Sequence, residues 1–162
     1  MKMNIREAKV EDIEQMTKLL QQVAKLHSDN RTDIFKEKEI SDYGNWAKAL
    51  VEDDEKIVMI AEKEKTICGV MVCKVRIIEN HVNLKDAKIF SIDEICVDEK
   101  YRKEGIGSNL IEEAKKLAKD NNCNRLELNC WEFNKNAMNF YFKQGFKVQR
   151  RFLEMEIKEE LL

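Results

Sequence analysis

Two of only five glycines stand at the mouth of the chain's best amphipathic helix, in "YRKEGIGSNLIEEA", residues 101–114. Glycine weakens a helix by about 1 kcal/mol relative to alanine, so Gly105 and Gly107 together call for a reason. A helix start carries backbone N–H groups without intrahelical acceptors and a partial positive charge, which suits an anionic oxygen. Glycine lets the main chain approach that oxygen closely. Arg102 and Lys103 add positive charge at the same mouth and Ser108 a hydroxyl donor, so the chemistry on offer is the gripping of a pyrophosphate. The dinucleotide fingerprint would need a glycine where Leu110 stands, and the triphosphate loop a Gly-Lys-Ser/Thr that the chain lacks. A different anion site is required.

Further along, "NKNAMNFYFKQGF" (residues 134–146) sets Ala137, Phe140 and Tyr141 on one helix face. A phenol beside a small residue can donate a proton or simply pack. On the strand before the glycine turn, Asp93 and Glu94 are adjacent carboxylates. Strict alternation lets only one of them face a cleft, and Glu94 is the favoured one. His27 lies on an apolar helical stripe, where a satisfied histidine is the ordinary role.

These residues need elements to hold them. Strands are expected at "MNIREA", "KIVMIAEK", "TICGVMVCKVRIIE", "DAKIFSIDEICVD" and "RLELNCW", with a final strand pair around "FKVQRRFLEMEI". Helices are expected over about residues 10–27, in "EKEISDYGNWAKALVEDD" with an interruption at Gly44, over "IGSNLIEEAKKLAKDNN", and over residues 134–144 with Gly145 as the cap. Short connections imply an antiparallel meander, and the strand–helix–strand unit after Gly107 implies a parallel pair. The fold class is α/β (α+β), in one domain over residues 1–162.

Twenty-nine basic and thirty-one acidic residues leave a formal charge of −2, which gives no net pull toward nucleic acid or anionic lipid. No nucleic-acid or membrane partner is expected. The first residues lack the apolar core of a signal peptide, so a cytoplasmic location is expected. Five cysteines without paired spacing read as free thiols, and the two histidines lack neighbours at ligand spacing, so no metal is expected.

In order and spacing, "ICVDEKYRKEGIGSNLIEEA" followed by "NKNAMNFYFKQGF" resembles the GNAT acetyltransferase superfamily, through its R/Q-x-x-G-x-G/A and N-x-x-A-x-x-F-Y-x-x-x-G-F segments. Among members, the likeness is greatest to diamine and other small-amine acetyltransferases. It implies a three-layer fold, a central mixed, mostly antiparallel twisted sheet flanked by helices, with a splayed parallel pair formed by its fourth and fifth strands. It implies acetyl-CoA as cosubstrate. Backbone groups of Ile95, Cys96 and Val97 would bind the pantetheine arm. Arg102, Lys103, Glu104, Gly105, Ile106, Gly107 and Ser108 would wrap the pyrophosphate. Asn134 and Ala137 would contact the cofactor, and Tyr141 would stand near its sulfur as general acid. Lys103 stands where the family often has glycine, and Glu99 where it often has proline.

Amine acetylation needs a base for the amine, donors for an oxyanion and a proton for the leaving thiolate. Glu94, directly or through a water, would be the base. Asp93, Glu94 and His27 would border the acceptor, a small-molecule or peptide amine. A homodimer is compatible with the resemblance. The rival readings are a non-catalytic acyl-CoA-binding regulatory module and a protein N-terminal or lysine acetyltransferase. Cys96 as an acyl-carrying nucleophile is rejected, because no histidine stands beside it and a strand cysteine is usually core.

Overall fold

The structure is a computed structural model and describes residues 3–36 and 38–157. The chain divides into two compact units, residues 1–129 and 130–162.

The first unit is built on a five-stranded sheet in chain order: β1 (Asn4–Glu7), β2 (Lys56–Lys63), β3 (Thr66–Ile78), β4 (Ala87–Val97) and β5 (Arg125–Leu128). The first four strands run antiparallel, and β5 pairs parallel with β4. Helix α1 (Ile13–Asn30) follows a 3₁₀ turn over Val10–Asp12, and α2 is Ile40–Glu52. Helix α3 (Ile106–Asp120) is the crossover between β4 and β5, which is why those two strands are parallel.

Period-two alternation gives the sheet two buried faces. Val58, Ile60, Val70, Val72 and Cys96 pack with Met16, Leu19 and Leu20 of α1 and with Ala47 and Leu50 of α2. The opposite face takes α3. A Cβ on Gly69 of β3 would stand 3.0 Å from Ile106 Cγ2 and 3.1 Å from Leu110 Cδ1, so glycine at this position lets the first turn of α3 lie directly on the sheet. Opposite Ala61 and Glu62, β3 carries one extra residue, Cys68. That bulge breaks the pleat, so that Ile67 and Val70, three apart, both join the α1/α2 core.

Two expectations need correction here. Helix α2 runs unbroken through Gly44. A Cβ there would meet Thr17 Oγ1 at 3.8 Å, so the glycine sits against α1, and packing of Tyr43, Ala47 and Leu50 outweighs its low propensity. The final strand pair is absent among the described residues. Residues 146–157 form no strand there, and Phe152, Leu153, Met155 and Ile157 are all more than four-fifths exposed. Strand patterning is only a capacity to pair, and no ladder forms without a neighbour.

The second unit contains α4 (Lys135–Lys143). Asn134 Oδ1 accepts from the Ala137 amide at 3.1 Å and caps its start. Its end is a Schellman turn: Gly145 is left-handed at φ 92°, its N–H donates to Phe142 O, and the Phe146 N–H donates to Tyr141 O, both at 3.0 Å.

Candidate active site

Strand β4 does two things at once. Its pairing with β5 stops at Ile92 opposite Leu128, while its pairing with β3 continues to Val97 opposite Gly69. From Asp93 to Val97, β4 therefore has one edge without a neighbouring strand in the first unit. Backbone groups on such an edge can take up an extended polar ligand, as a sheet takes up an added strand. Ile95, Cys96 and Val97 all lie in this stretch.

The chain then turns through Asp98, whose carboxylate accepts from the Lys100 amide at 3.0 Å, and a 3₁₀ turn over Glu99–Tyr101. Arg102 Nε donates to Val97 O at 3.3 Å, tying the loop back to the end of β4. Lys103 is left-handed at φ 68° and Gly105 at φ 81°. Glu104 pairs with Lys63 of β2. Gly105 is the N-cap of α3 and brings no side chain to its first turn. The amides of Ile106 and Gly107 thus have no acceptor within the helix, and Gly107 itself is helical. Ile106 is buried against the sheet while residues 102–105 are exposed. One mouth is formed, with an anchored floor and an open rim of amides and cations. A diphosphate fits this donor set: no Cβ at the cap, amides in sequence, and two cations beside them.

The carboxylates depart from the alternation expected for them. Glu94 is paired with Val72 and Ile92 with Cys73, so Asp93 is an extra residue, a β-bulge in β4. Lying directly opposite Val72, Glu94 is on the α1/α2 face of the sheet. Asp93 accepts from Lys56 at 2.6 Å and from Lys74 at 3.2 Å, and these lysines share that face by their two-residue spacing from Val58 and Val72. Both carboxylates therefore lie on one face, because a bulge breaks the pleat. What separates them is their partners.

Burial alone would raise the Asp93 carboxyl, yet the hydrogen bonds from Lys56 and Lys74 outweigh it and hold it below the usual range. Ser91 adds a hydroxyl bond to Asp93 at 3.1 Å. Glu94 makes no hydrogen bond or ion pair among the described residues. Burial, reinforced by the neighbouring Asp93 charge and only partly offset by Lys56, pushes it up to about 7. A carboxyl that ionises near neutrality and has an uncommitted acceptor can take a proton from an amine.

Cys96 is a different case. Its Sγ is buried, donates to Leu19 O at 3.2 Å, and is pushed up to about 12 by burial, so at neutral pH it is a core thiol. His27 stands near the end of α1, half-buried, its ring 5.3 Å from that of Phe35 and its basicity lowered by burial. In the second unit, Ala137 lies in the first turn of α4 and Tyr141 is buried, its ring against Phe140 and Phe146 at 5.3 and 5.8 Å. The cap role of Asn134 was missed in sequence, although Asn three residues before Ala137 is its ordinary signal. Gly69 and Lys63, which seat and tether the loop from β3 and β2, carry no local signal at all.

A mixed sheet in which a strand, lacking a neighbour in the first unit along its end, leads into a helix start whose amides have no acceptor within the helix defines a class of site, one suited to an acyl-CoA. The chain belongs to the GNAT acetyltransferase family, whose model matches residues 20–146, and it is an acetyl-CoA-dependent N-acetyltransferase. Among solved structures it is similar to a tetramutant of the BH1408 protein from Bacillus halodurans, with 28% identity over 95% of this chain and 99% of that one and a TM-score of 0.90. A transcriptional regulator from Bacillus halodurans C-125 shares the fold at 23% identity, covering 96% and 100% of the two chains, TM-score 0.74. So does the aminoglycoside N-acetyltransferase AAC(6')-Iy in complex with CoA, at 16% identity over 97% and 95%, TM-score 0.75. No helix among the described residues is long and apolar enough to cross a membrane.

Proposed function

We propose that this chain transfers the acetyl group of acetyl-CoA directly to a primary amine in a ternary complex, with Glu94 as general base and Tyr141 as general acid. The observation that carries this is Glu94: a carboxyl on β4, near neutrality, without a hydrogen-bond partner among the described residues, within the stretch of β4 beyond its pairing with β5 and one residue before the backbone groups that the thioester arm would follow. Acetyl-CoA supplies an activated acyl carbon and a thiolate leaving group. Everything else falls to the protein. The amides of Ile106 and Gly107, with Arg102, Lys103 and Ser108, hold the diphosphate. Glu104, paired with Lys63, keeps the loop in place. Backbone groups of Ile95, Cys96 and Val97 align the arm, and Asn134 and Ala137 at the start of α4 contact it. Glu94 Oε takes the ammonium's proton, directly or through a water. The freed amine nitrogen attacks the acetyl carbon, the carbon–sulfur bond breaks, the Tyr141 hydroxyl gives its proton to the departing sulfur, and the nitrogen's second proton restores the Tyr141 hydroxyl.

The family match runs across both compact units, which supports reading residues 1–162 as one N-acetyltransferase domain. Asp93, Glu94 and His27 are assigned to the acceptor side. Aminoglycosides join polyamines, amino acids and peptide N-termini as acceptors to test, because fold relatives include aminoglycoside N-acetyltransferases.

Tyr141→Phe tests the acid. CoA release is followed over the acceptor panel, and acetyl-CoA binding by calorimetry. Turnover is expected to fall by roughly 100-fold with binding nearly unchanged. Wild-type turnover in the variant removes Tyr141 from the mechanism.

A further inference from the structure

We propose that the acceptor is a small amine that also carries an anionic oxygen group, a carboxylate or phosphate, which Lys74 and Arg76 of β3 bind beside Glu94. This rests on Glu94 as the base and names the substrate class of that same site.

Strand register places the groups. Glu94 stands opposite Val72. One pleat step along β3, about 7 Å, the next row across the sheet is Lys56, Lys74, Ser91 and Glu127, each paired with the one before it. The row beyond is Arg76, Ile89 and Arg125. Residues opposite one another in a ladder share a face, and Lys74 and Arg76 share that of Val72 by their two-residue spacing. Both rows therefore lie on the face of Glu94. Asp93 accepts from Lys56 at 2.6 Å and from Lys74 at 3.2 Å, and Glu127 from Arg76 at 2.7 Å and from Arg125 at 3.4 Å.

Depth decides what a ligand meets on this face. The side chains of Asp93 and Glu127 are 24 and 22% exposed, and Lys56, which also feels the Asp53 charge, 19%. Those of Lys74, Arg76 and Arg125 are 37, 44 and 50% exposed. The carboxylates are recessed and three cations form the rim, with more N–H donors than one carboxylate each can use. A polyamine or an aminoglycoside brings further positive charge to that rim. An anionic oxygen group gains charge-assisted hydrogen bonds there, two of them parallel on a guanidinium. The single pleat step between Glu94 and Lys74 suits an amine and an anion only a few bonds apart.

Matched acceptors test this. CoA release is measured with glycine, β-alanine and 4-aminobutanoate, each against its own amide, with 2-aminoethyl phosphate against ethanolamine, and with a polyamine and an aminoglycoside. In the wild type, kcat/KM is expected to be at least about tenfold higher for the anionic member of at least one pair; whether a carboxylate or the phosphate shows the larger ratio identifies the anion. Lys74→Gln and Arg76→Gln are each expected to bring that ratio toward one, through KM of the anionic member. The ratio is internal to each variant, so a general loss of activity does not move it. Should one variant fail to fold, the other carries the test. Ratios at or below one in the wild type, a polyamine or aminoglycoside preferred over every anionic amine, or a ratio unchanged in the folded variants overturns the proposal and leaves amine acetylation standing. No CoA release with any acceptor overturns the transfer reading itself, and this inference with it.

Discussion

At the residue scale the decisive group is Glu94. Its carboxyl is raised from 4.5 to about 7, by burial first and by Asp93 second. As the proposed base it must be ionised, so kcat/KM is expected to rise with pH through about 7. Glu94→Gln should remove that limb and lower activity by roughly 100-fold, read from a pH–rate profile. The same shift makes a stability prediction of opposite direction. A carboxyl whose folded value lies above its unfolded one loses stability as pH rises from 4.5 to about 7. Glu94→Gln is therefore expected to be more stable than the wild type above neutrality and equal to it below pH 4.5, by urea titration. Lys103 offers a second residue-scale test. Its φ of 68° costs a side-chain-bearing residue about 1 kcal/mol, so Lys103→Gly should stabilise the fold by roughly 0.5–1 kcal/mol. Loss of the cation should raise KM for acetyl-CoA in the same variant.

At the scale of elements, the site depends on how α3 is seated on β3 and β4. Gly69 sets that distance, since an added methyl would come within 3.1 Å of both Ile106 and Leu110. Gly69→Ala is expected to cost about 1–3 kcal/mol and, on the proposed binding mode, to weaken acetyl-CoA binding, because the side chains displaced belong to the first two turns of α3. Thermal melts and calorimetry on one preparation check both effects. The bulge at Asp93 works at the same scale. It puts two carboxylates on one face and gives one of them to Lys56 and Lys74, leaving the other to ionise late.

For the whole molecule, one ionic cluster joins the start of the chain to the sheet. Arg6 of β1 donates to Asp12 at 2.8 and 2.9 Å and to Glu62 of β2 at 3.1 Å, while the Lys9 amide donates to Asp12 at 2.7 Å. Asp12 is 5% exposed, and the bond from Arg6 holds its carboxyl below the ordinary 3.8. Its contribution is present above 3.8 and disappears as pH falls through the lower folded value. Asp12→Asn is expected to cost roughly 2–3 kcal/mol at neutral pH and progressively less in acid, which chemical denaturation at several pH values will show.

Much of this was written locally. The spans of β2, β3, β4 and α3 follow from runs of Ile and Val and from a 3.6-residue apolar stripe, both properties of neighbouring residues. The glycine turn with its cations and the Asn-to-Tyr helix were visible for the same reason, and so was the family resemblance. What sequence could not contain was anything requiring two strands at once. The bulge at Asp93 exists only relative to β3, so alternation misjudged the carboxylates. Gly44 meant contact between helices, and Gly69 the approach of α3. The last twelve described residues look like strand because β propensity is local, whereas a ladder needs a partner. Composition and periodicity determined the elements and the glycine turn before α3. Tertiary packing alone decided which carboxyl is desolvated and left without a cation, because desolvation and ion pairing are set by distances between segments far apart in the chain.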